Sequence, residues 1–322
     1  MIDVADKRDV QGVSNDSWTQ ACEPVFIVGA PRGGTTWLQA LLGSHPQIVT
    51  GPETHFFKAL AGADAIYRLR LPRPVGLQQY LPDDEFYKIC AQLFHQVTSR
   101  IPRPQQPVRY FLEKTPEHAL HAEFILRCFP QARFIHVIRD ARHVTASLIR
   151  TARAFGSAPG RMNASIAAHV WRECVLSAER IAKNVTNPNQ YVEVKYEELR
   201  RDPHRKLGDL LQSLDLEVSA DDVSRIIELN TLDRSKRESG FDAIKSPRST
   251  EQSLPEPNGF FGSGAAEPAK FELSRLQRFQ VERLTGDLLL RHGYCASYPR
   301  VPNWAVLACS WKIRRLIGLR PV

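Results

Sequence analysis

Residues Pro24 to Leu38 read P-V-F-I-V-G-A-P-R-G-G-T-T-W-L, and this stretch decides the fold. The apolar run Val25 to Val28 has the length and composition of a buried parallel strand. Gly29, Gly33 and Gly34 make a glycine-rich turn after it, and the hydroxyls of Thr35 and Thr36 lead into a helical pattern from Trp37. A strand that passes through a tight glycine turn into a helix offers backbone N–H groups, and the positive end of the helix dipole, to an anion. The phosphate loop of ATPases and kinases reads G-x-x-x-x-G-K-[ST]. Here Gly29 and Gly34 keep that spacing, but Thr35 stands where the lysine belongs and the cation comes earlier, at Arg32. The loop suits a phosphate, and it departs from an ordinary ATP site.

Outward from this loop, apolar strand-like runs alternate with helical periodicity. Ile48–Thr50, Tyr110–Leu112, Arg133–Ile138 and Tyr191–Lys195 read as further strands. Helices are expected at 37–43, 57–70, 83–99, 117–129, 140–153, 162–184, 203–230 and 271–290. This order predicts an α/β fold, a P-loop-like three-layer α/β/α arrangement with a central parallel sheet flanked by helices. Residues 1–22 read as an irregular N-terminal lead-in and 23–298 as a single domain. Within it, 231–269 is rich in Ser, Pro, Gly and charge and reads as a long loop or lid. Residues 299–322 form a basic amphipathic tail: Trp304, Trp311, Ile313 and Leu316 interleave with Lys312, Arg314, Arg315 and Arg320. Such a tail suits docking on the domain or peripheral contact with an anionic membrane.

The 322 residues carry a formal net charge of +8, with 43% hydrophobic and 24% charged residues. That balance describes a globular chain with a substantial core and a preference for anionic ligands. Arginine is spread along the chain and no nucleic-acid motif is present, so no nucleic-acid partner is expected. The six cysteines are scattered without a C-x-x-C pair and read as reduced thiols, with neither disulfide nor metal site. The N-terminus has no apolar signal region, and no run approaches the roughly 20 residues of a membrane span. A cytoplasmic location follows as the expectation, with membrane association through the tail as its variant.

Four segments converge on the expected carboxyl ends of the strands. They are the loop Arg32–Trp37; Gly51–Phe57, which holds Glu53 and His55; Glu113–Pro116, which holds Lys114; and Val137–Arg142, which leads into a helix carrying Ser147. Together they resemble the sulfotransferases that use 3′-phosphoadenosine-5′-phosphosulfate (PAPS). In that family a loop P-[KR]-x-G-T-[TS] binds the 5′-phosphosulfate, and Pro31–Thr36 is similar to it. An Arg followed eight residues later by a Ser holds the 3′-phosphate, and Arg139 and Ser147 share that spacing. Val194-Lys195-Tyr196-Glu197-Glu198-Leu199 is similar to the family's [VL]-x-Y-E-[DE]-L segment near the adenine. Glu53-Thr54-His55-Phe56-Phe57 resembles the E-x-H-F-F segment of the carbohydrate branch, and the protein-tyrosine branch places a glutamate at the same distance. The aryl branch instead uses a His after K-T, where this chain has Pro116.

The resemblance implies PAPS as sulfuryl donor, no metal, and an acceptor hydroxyl on a small molecule, lipid, carbohydrate or peptide. It implies Glu53 as base, Lys114 in charge neutralisation and His55 in orientation, with Arg32, Gly33, Gly34, Thr35, Thr36, Trp37, Arg139, Ser147 and Tyr196 around the nucleotide. The helices over 57–99 and the loop over 231–269 are expected to shape the acceptor pocket. Purely structural readings stand beside these: Glu53 or Thr115 as a helix cap, Asp140 at a helix start, Arg142 in an ion pair. His118, His121 and His136 read as structural or exposed. The family's basic closing loop has a counterpart at Asn258–Gly264 that lacks both its basic residue and its tryptophan. Two rival functions remain at this level: an ATP-dependent small-molecule kinase, and a non-catalytic, membrane-peripheral nucleotide-binding protein.

Overall fold

Val25 to Val28 alternate between the two faces of a sheet, and that alternation organises the molecule. The computed structural model describes residues 17–68, 76–81, 84–156, 160–231, 244 and 272–297. The expected lid at 231–269 (Thr231 and Ile244 apart) and the tail at 299–322 lie outside them. Strands β1 (Glu23–Gly29), β2 (Ile48–Thr50), β3 (Tyr110–Lys114), β4 (Arg133–Ile138) and β5 (Tyr191–Lys195) form one sheet in the order β2-β3-β1-β4-β5. Every pair is parallel.

On one face Val25 and Ile27 join Leu112, Ile135 and Val194 under α1 (Thr35–Gly43), α7 (Tyr196–Arg201), α8 (Pro203–Ser213) and α9 (Ala220–Leu229). On the other face Phe26 and Val28 join Phe111 and Phe134 under α2 (Phe56–Arg68), α3 (Glu85–Thr98), α4 (Ala122–Cys128) and α6 (Ala164–Asn184). A third cluster ties α5 (Ala141–Ala154) and α10 (Arg275–Arg291) to α6 around the buried Trp171. Phe26 lies at the middle of an aromatic group, with ring centroids 5.6 Å from Phe134 and 5.8 Å from Phe57. Full burial of each such ring contributes about 1.5–3 kcal/mol.

The register sets the site. Ile27 is level with Lys114, and Gly29 with Val137, so the carboxyl ends of β1, β3 and β4 open at one edge. The chain leaves β1 towards β2 on one side, and β3 later crosses past β1 to reach β4 on the other. That reversal is the place where open parallel sheets receive ligands.

Three expectations change in detail. The single helix expected at 117–129 is a 3-10 helix (Pro116–His121) followed by α4, because the ring of His118 is held by Glu113 within the core. The stretch 203–230 divides into α8 and α9, with Asp215 at φ +54° ending the first. Residues 17–22, read as part of the loose lead-in, carry a 3-10 turn (Trp18–Ala21) fastened to α3, where Thr19 Oγ1 donates to the His95 carbonyl at 3.0 Å.

Candidate active site

The loop after β1 is shaped by close approach. A Cβ on Gly29 would lie 2.5 Å from the Val137 carbonyl oxygen, and one on Gly34 (φ +96°) would lie 2.2 Å from the Tyr196 ring. Only glycine permits the loop to lie between β4 and α7. Arg32 itself takes φ +69°, a conformation that costs a non-glycine residue about 1–3 kcal/mol and is typical of ligand clamps. Gly34 occupies the N-cap position of α1 and has no side chain with which to cap it. The first-turn amides, including those of Thr35 and Thr36, therefore form an anion-binding end.

Two groups of side chains flank the loop. On the β4 side, Arg32 Nε donates to Ser147 Oγ at 3.3 Å. Arg139 Nη1 donates to the Arg32 carbonyl at 3.3 Å, and its guanidinium stacks 4.2 Å from the centre of the Tyr196 ring. Arg32, Arg139, Ser147 and Tyr196 thus meet in one cluster although they come from two helices, α5 and α7, and from the loops after β1 and β4. Trp37 stands behind it, 5% exposed, edge-on to Tyr196 at 6.0 Å, with its indole N–H donated to the Asn230 carbonyl. Its role in the cluster is to back Tyr196.

On the β3 side, Lys114 is buried and its Nζ donates both to Thr36 Oγ1 at 3.1 Å and to Glu53. The Glu53 side chain is 36% exposed against 4% for Lys114, so the carboxylate faces the opening and the ammonium the interior. His55 Nε2 lies 3.4 Å from Glu53 Oε2, and its Nδ1 lies 3.9 Å from Glu117. The sequence set of Glu53, His55 and Lys114 is therefore brought together, with Thr36 joining it to the phosphate loop.

The structural alternatives resolve one by one. Asp140 caps α5 by accepting from the Arg142 amide at 2.8 Å, and it pairs with the Arg142 guanidinium, which also reaches Glu282. Thr115 precedes a helix but does not cap it with its side chain; its hydroxyl donates to Glu113 and accepts from the His55 amide. Glu53 turns to Lys114, while Thr54 accepts from the Phe56 amide at the start of α2. Among the histidines, His118 and His136 are buried. Burial pushes His136 down to about 3 and His121 to about 4.

Three supporting residues have no role assigned from the sequence, although Glu113 and Glu197 lie within its motifs. Glu113 is buried, and burial alone would raise its pKa; its bonds with His118, Thr115 and Thr54 outweigh that and hold it down at about 2. Glu197 accepts from the Asp140 amide at 3.1 Å and from the Tyr294 hydroxyl at 2.7 Å, and burial raises its pKa. Tyr294 reaches Glu197 because α10 ends in a Schellman turn, with Gly293 at φ +77° and the Tyr294 amide on the Leu289 carbonyl. For Glu113 a signal was available: a carboxylate on a strand whose other residues are apolar.

The chain has relatives among known proteins. A sulfotransferase family model matches residues 24–220. A putative protein-tyrosine sulfotransferase of Caenorhabditis briggsae is 27% identical over 196 residues, covering 61% of this chain and 66% of the relative. Protein-tyrosine sulfotransferase 1 of Homo sapiens is 29% identical over 125 residues, covering 39% of this chain and 33% of the relative. The chain thus spans from a third to just under two thirds of these curated relatives. Among solved structures, the sulfotransferase domain from the curacin biosynthetic pathway is similar with a TM-score of 0.52 at 18% identity, covering 85% of this chain and 99% of that one. That likeness is one of fold.

Proposed function

Because the chain belongs to the sulfotransferase family, matched from residue 24 to residue 220, we propose that it moves a sulfuryl group from PAPS to an acceptor hydroxyl. The observation that carries this reading is the position of Lys114. One buried ammonium touches the phosphate loop through Thr36 and the acceptor-side carboxylate Glu53 at once. A group in transfer between loop-bound phosphate and a deprotonating acceptor has to pass this ammonium.

The residues fit the donor. The glycine loop with Arg32 and the α1 amides suit the 5′-phosphosulfate, while Arg139 and Ser147, beyond the end of a different strand (β4) and in contact with Arg32, suit a second phosphate on the 3′ side. Tyr196, already stacked with Arg139, is a face for the adenine. When bound, PAPS supplies a sulfur electrophile with a phosphate leaving group. The acceptor oxygen–sulfur bond forms as the bond from sulfur to the bridging oxygen breaks, and 3′-phosphoadenosine-5′-phosphate (PAP) departs. Glu53 takes the acceptor proton. Lys114 and Arg32 neutralise charge building on the bridging oxygen and the 5′-phosphate, and His55 orients Glu53 or the acceptor. Positioning and charge stabilisation supply most of the rate in such in-line transfers.

The kinase reading is weaker. It needs a loop lysine and a carboxylate for Mg²⁺, and the carboxylate of Asp140 is engaged by Arg142. The non-catalytic reading leaves the Lys114–Glu53 pair without a purpose. For the acceptor, the relatives' names favour a tyrosine phenol, whose pKa near 10 asks less of a carboxylate base than an aliphatic alcohol does. Cytoplasmic residence belongs to the same proposal and is supported by the free thiols of Cys22, Cys90, Cys128, Cys174 and Cys295.

The test is calorimetry with PAP against Mg²⁺–ATP, followed by transfer of labelled sulfate from PAPS to a tyrosine peptide and to a cell extract. Preference for ATP overturns the donor. Labelling of the extract without the peptide overturns the phenol and keeps the reaction.

A further inference from the structure

Residues 51–55 carry the base, yet they belong to no helix or strand, and His55 within them takes φ +48°. What holds this loop is the end of β3, residue against residue. Lys114 meets Glu53, Glu113 meets Thr54, and Thr115 meets His55. The middle contact is made by two hydrogen bonds. The Glu113 carboxylate accepts from the Thr54 amide at 3.2 Å and the Thr54 hydroxyl at 2.8 Å. It also accepts from the Thr115 amide at 3.0 Å, the Thr115 hydroxyl at 2.8 Å and His118 Nδ1 at 2.8 Å.

We propose that Glu113 is the positioning residue of this enzyme: a buried carboxylate that fixes the loop carrying Glu53 and His55 against Lys114. The proposal rests on the reading of Glu53 as base. Its physical ground is the alternation of β3. Successive side chains of a strand face opposite ways, so Lys114 enters the site directly while Glu113 points to the other side and grips the base-bearing loop from behind. One strand end thereby sets both members of the Glu53–Lys114 pair. An ionised carboxylate only accepts hydrogen bonds, and here five donors converge on it. His118 completes the set and is itself locked among Phe26 and Phe57, with ring centroids 6.3 and 5.3 Å away. No other charged side chain touches Thr54 among the described contacts.

The decisive variant is Glu113→Gln, which keeps shape and size but turns an NH₂ group towards donors. In this variant kcat for sulfate transfer should fall about 100-fold, the scale of an ångström-level displacement of a reacting group. PAP affinity, measured by calorimetry, stays within about twofold because, among the described side-chain contacts of Glu113, none is to the phosphate loop or to Arg139 or Ser147. A second readout needs no activity: amide hydrogen exchange at Thr54 and His55 accelerates more than tenfold, while Phe26 and Ile135 in the sheet stay protected. Should Glu113→Gln not fold, Thr54→Val removes one of the five bonds from the loop side. It is expected to lower kcat roughly tenfold, the equivalent of one hydrogen bond to a charged group.

Wild-type kcat in either variant, or an equal loss of PAP binding and kcat, overturns the positioning role, as does unchanged exchange at Thr54 and His55 in Glu113→Gln. Absence of transfer by the wild-type protein overturns the proposed reaction instead, and the exchange experiment tells the two failures apart.

Discussion

Replacing Glu53 by glutamine should separate the chemical role of this residue from its structural one. The wild-type pair joins a 4%-exposed ammonium to a 36%-exposed carboxylate. A fully buried pair that loses one partner costs about 3–5 kcal/mol, and an exposed one about 0–1 kcal/mol. This pair lies between those limits. Water reaches Glu53 but hardly reaches Lys114, so Glu53→Gln strands the buried charge and should destabilise the free protein by about 2 kcal/mol. Lys114→Met leaves a carboxylate that water can still solvate and should cost about 1 kcal/mol or less. The double variant removes both charges and should recover most of the loss. Urea unfolding of the four proteins gives the cycle directly.

PAP supplies the counter-charge that glutamine cannot, so it should bind Glu53→Gln at least as tightly as the wild type. Transfer should nevertheless fall by roughly 10²–10⁴, the usual worth of a general base. Equal stability of Glu53→Gln and wild type, with no recovery in the double variant, would show that the two groups do not act as a pair. Retained turnover would move the base elsewhere.

Other outcomes follow from the same geometry. Arg139→Ala should weaken PAP binding by about 1.5–3 kcal/mol, the value of a charge-assisted bond; Arg139→Lys should restore little, because lysine cannot both stack on Tyr196 and reach the Arg32 carbonyl, and calorimetry decides both. Gly34→Ala should abolish PAP binding and lower the melting temperature, since its Cβ would meet the Tyr196 ring; a fully active variant would refute the description of the loop. His292 sits between Glu193 and Glu179, and although burial opposes its charge, those two carboxylates raise its pKa. Its contribution to stability is therefore complete below the unfolded value of about 6.5 and lost as pH rises through the higher folded value. The unfolding free energy of wild type minus His292→Gln should accordingly be largest in mild acid and shrink above neutrality, and a difference that grows with pH would contradict the assignment.

Much of this molecule was legible because its signals are local. The run Val25–Val28, the glycines that follow and the alternation of strands with helices specify a parallel sheet, and the observed elements fall within a few residues of the expected ones. Glu53, Lys114, Arg32, Arg139 and Ser147 were legible as types at characteristic spacings. The supports of these residues were not. Thr54 and Glu113 are 59 residues apart, and Glu197 meets Tyr294 at a separation of 97. Neither contact has a local period or a cap to announce it. The change from 3-10 to α helix at His121, with His118 inside the 3-10 segment, was hidden for a related reason. Helix propensity favours continuation, and only the tertiary bond to a buried carboxylate overrides it.

The same distinction explains the lysine absent from the phosphate loop. A lysine at position 35 would project from the first turn of α1, and its reach would be set by that helix alone. Lys114 arrives from β3, hydrogen-bonded beside β1 with its Cα level with Ile27, so its ammonium meets the helix start from the side, at Thr36. That route places the charge between the loop and the 51–55 segment, because β3 also pairs with β2, the strand immediately before that segment. A cation on the loop can neutralise a bound phosphate. A cation on the strand between the loop and Glu53 can also fix that carboxylate, and the strand order β2-β3-β1 makes that second task possible. Moving the charge back to the loop tests the point: Thr35→Lys combined with Lys114→Met should restore phosphate affinity lost in Lys114→Met without restoring transfer. Recovery of both would show that charge alone, and not the strand that delivers it, is what the site requires.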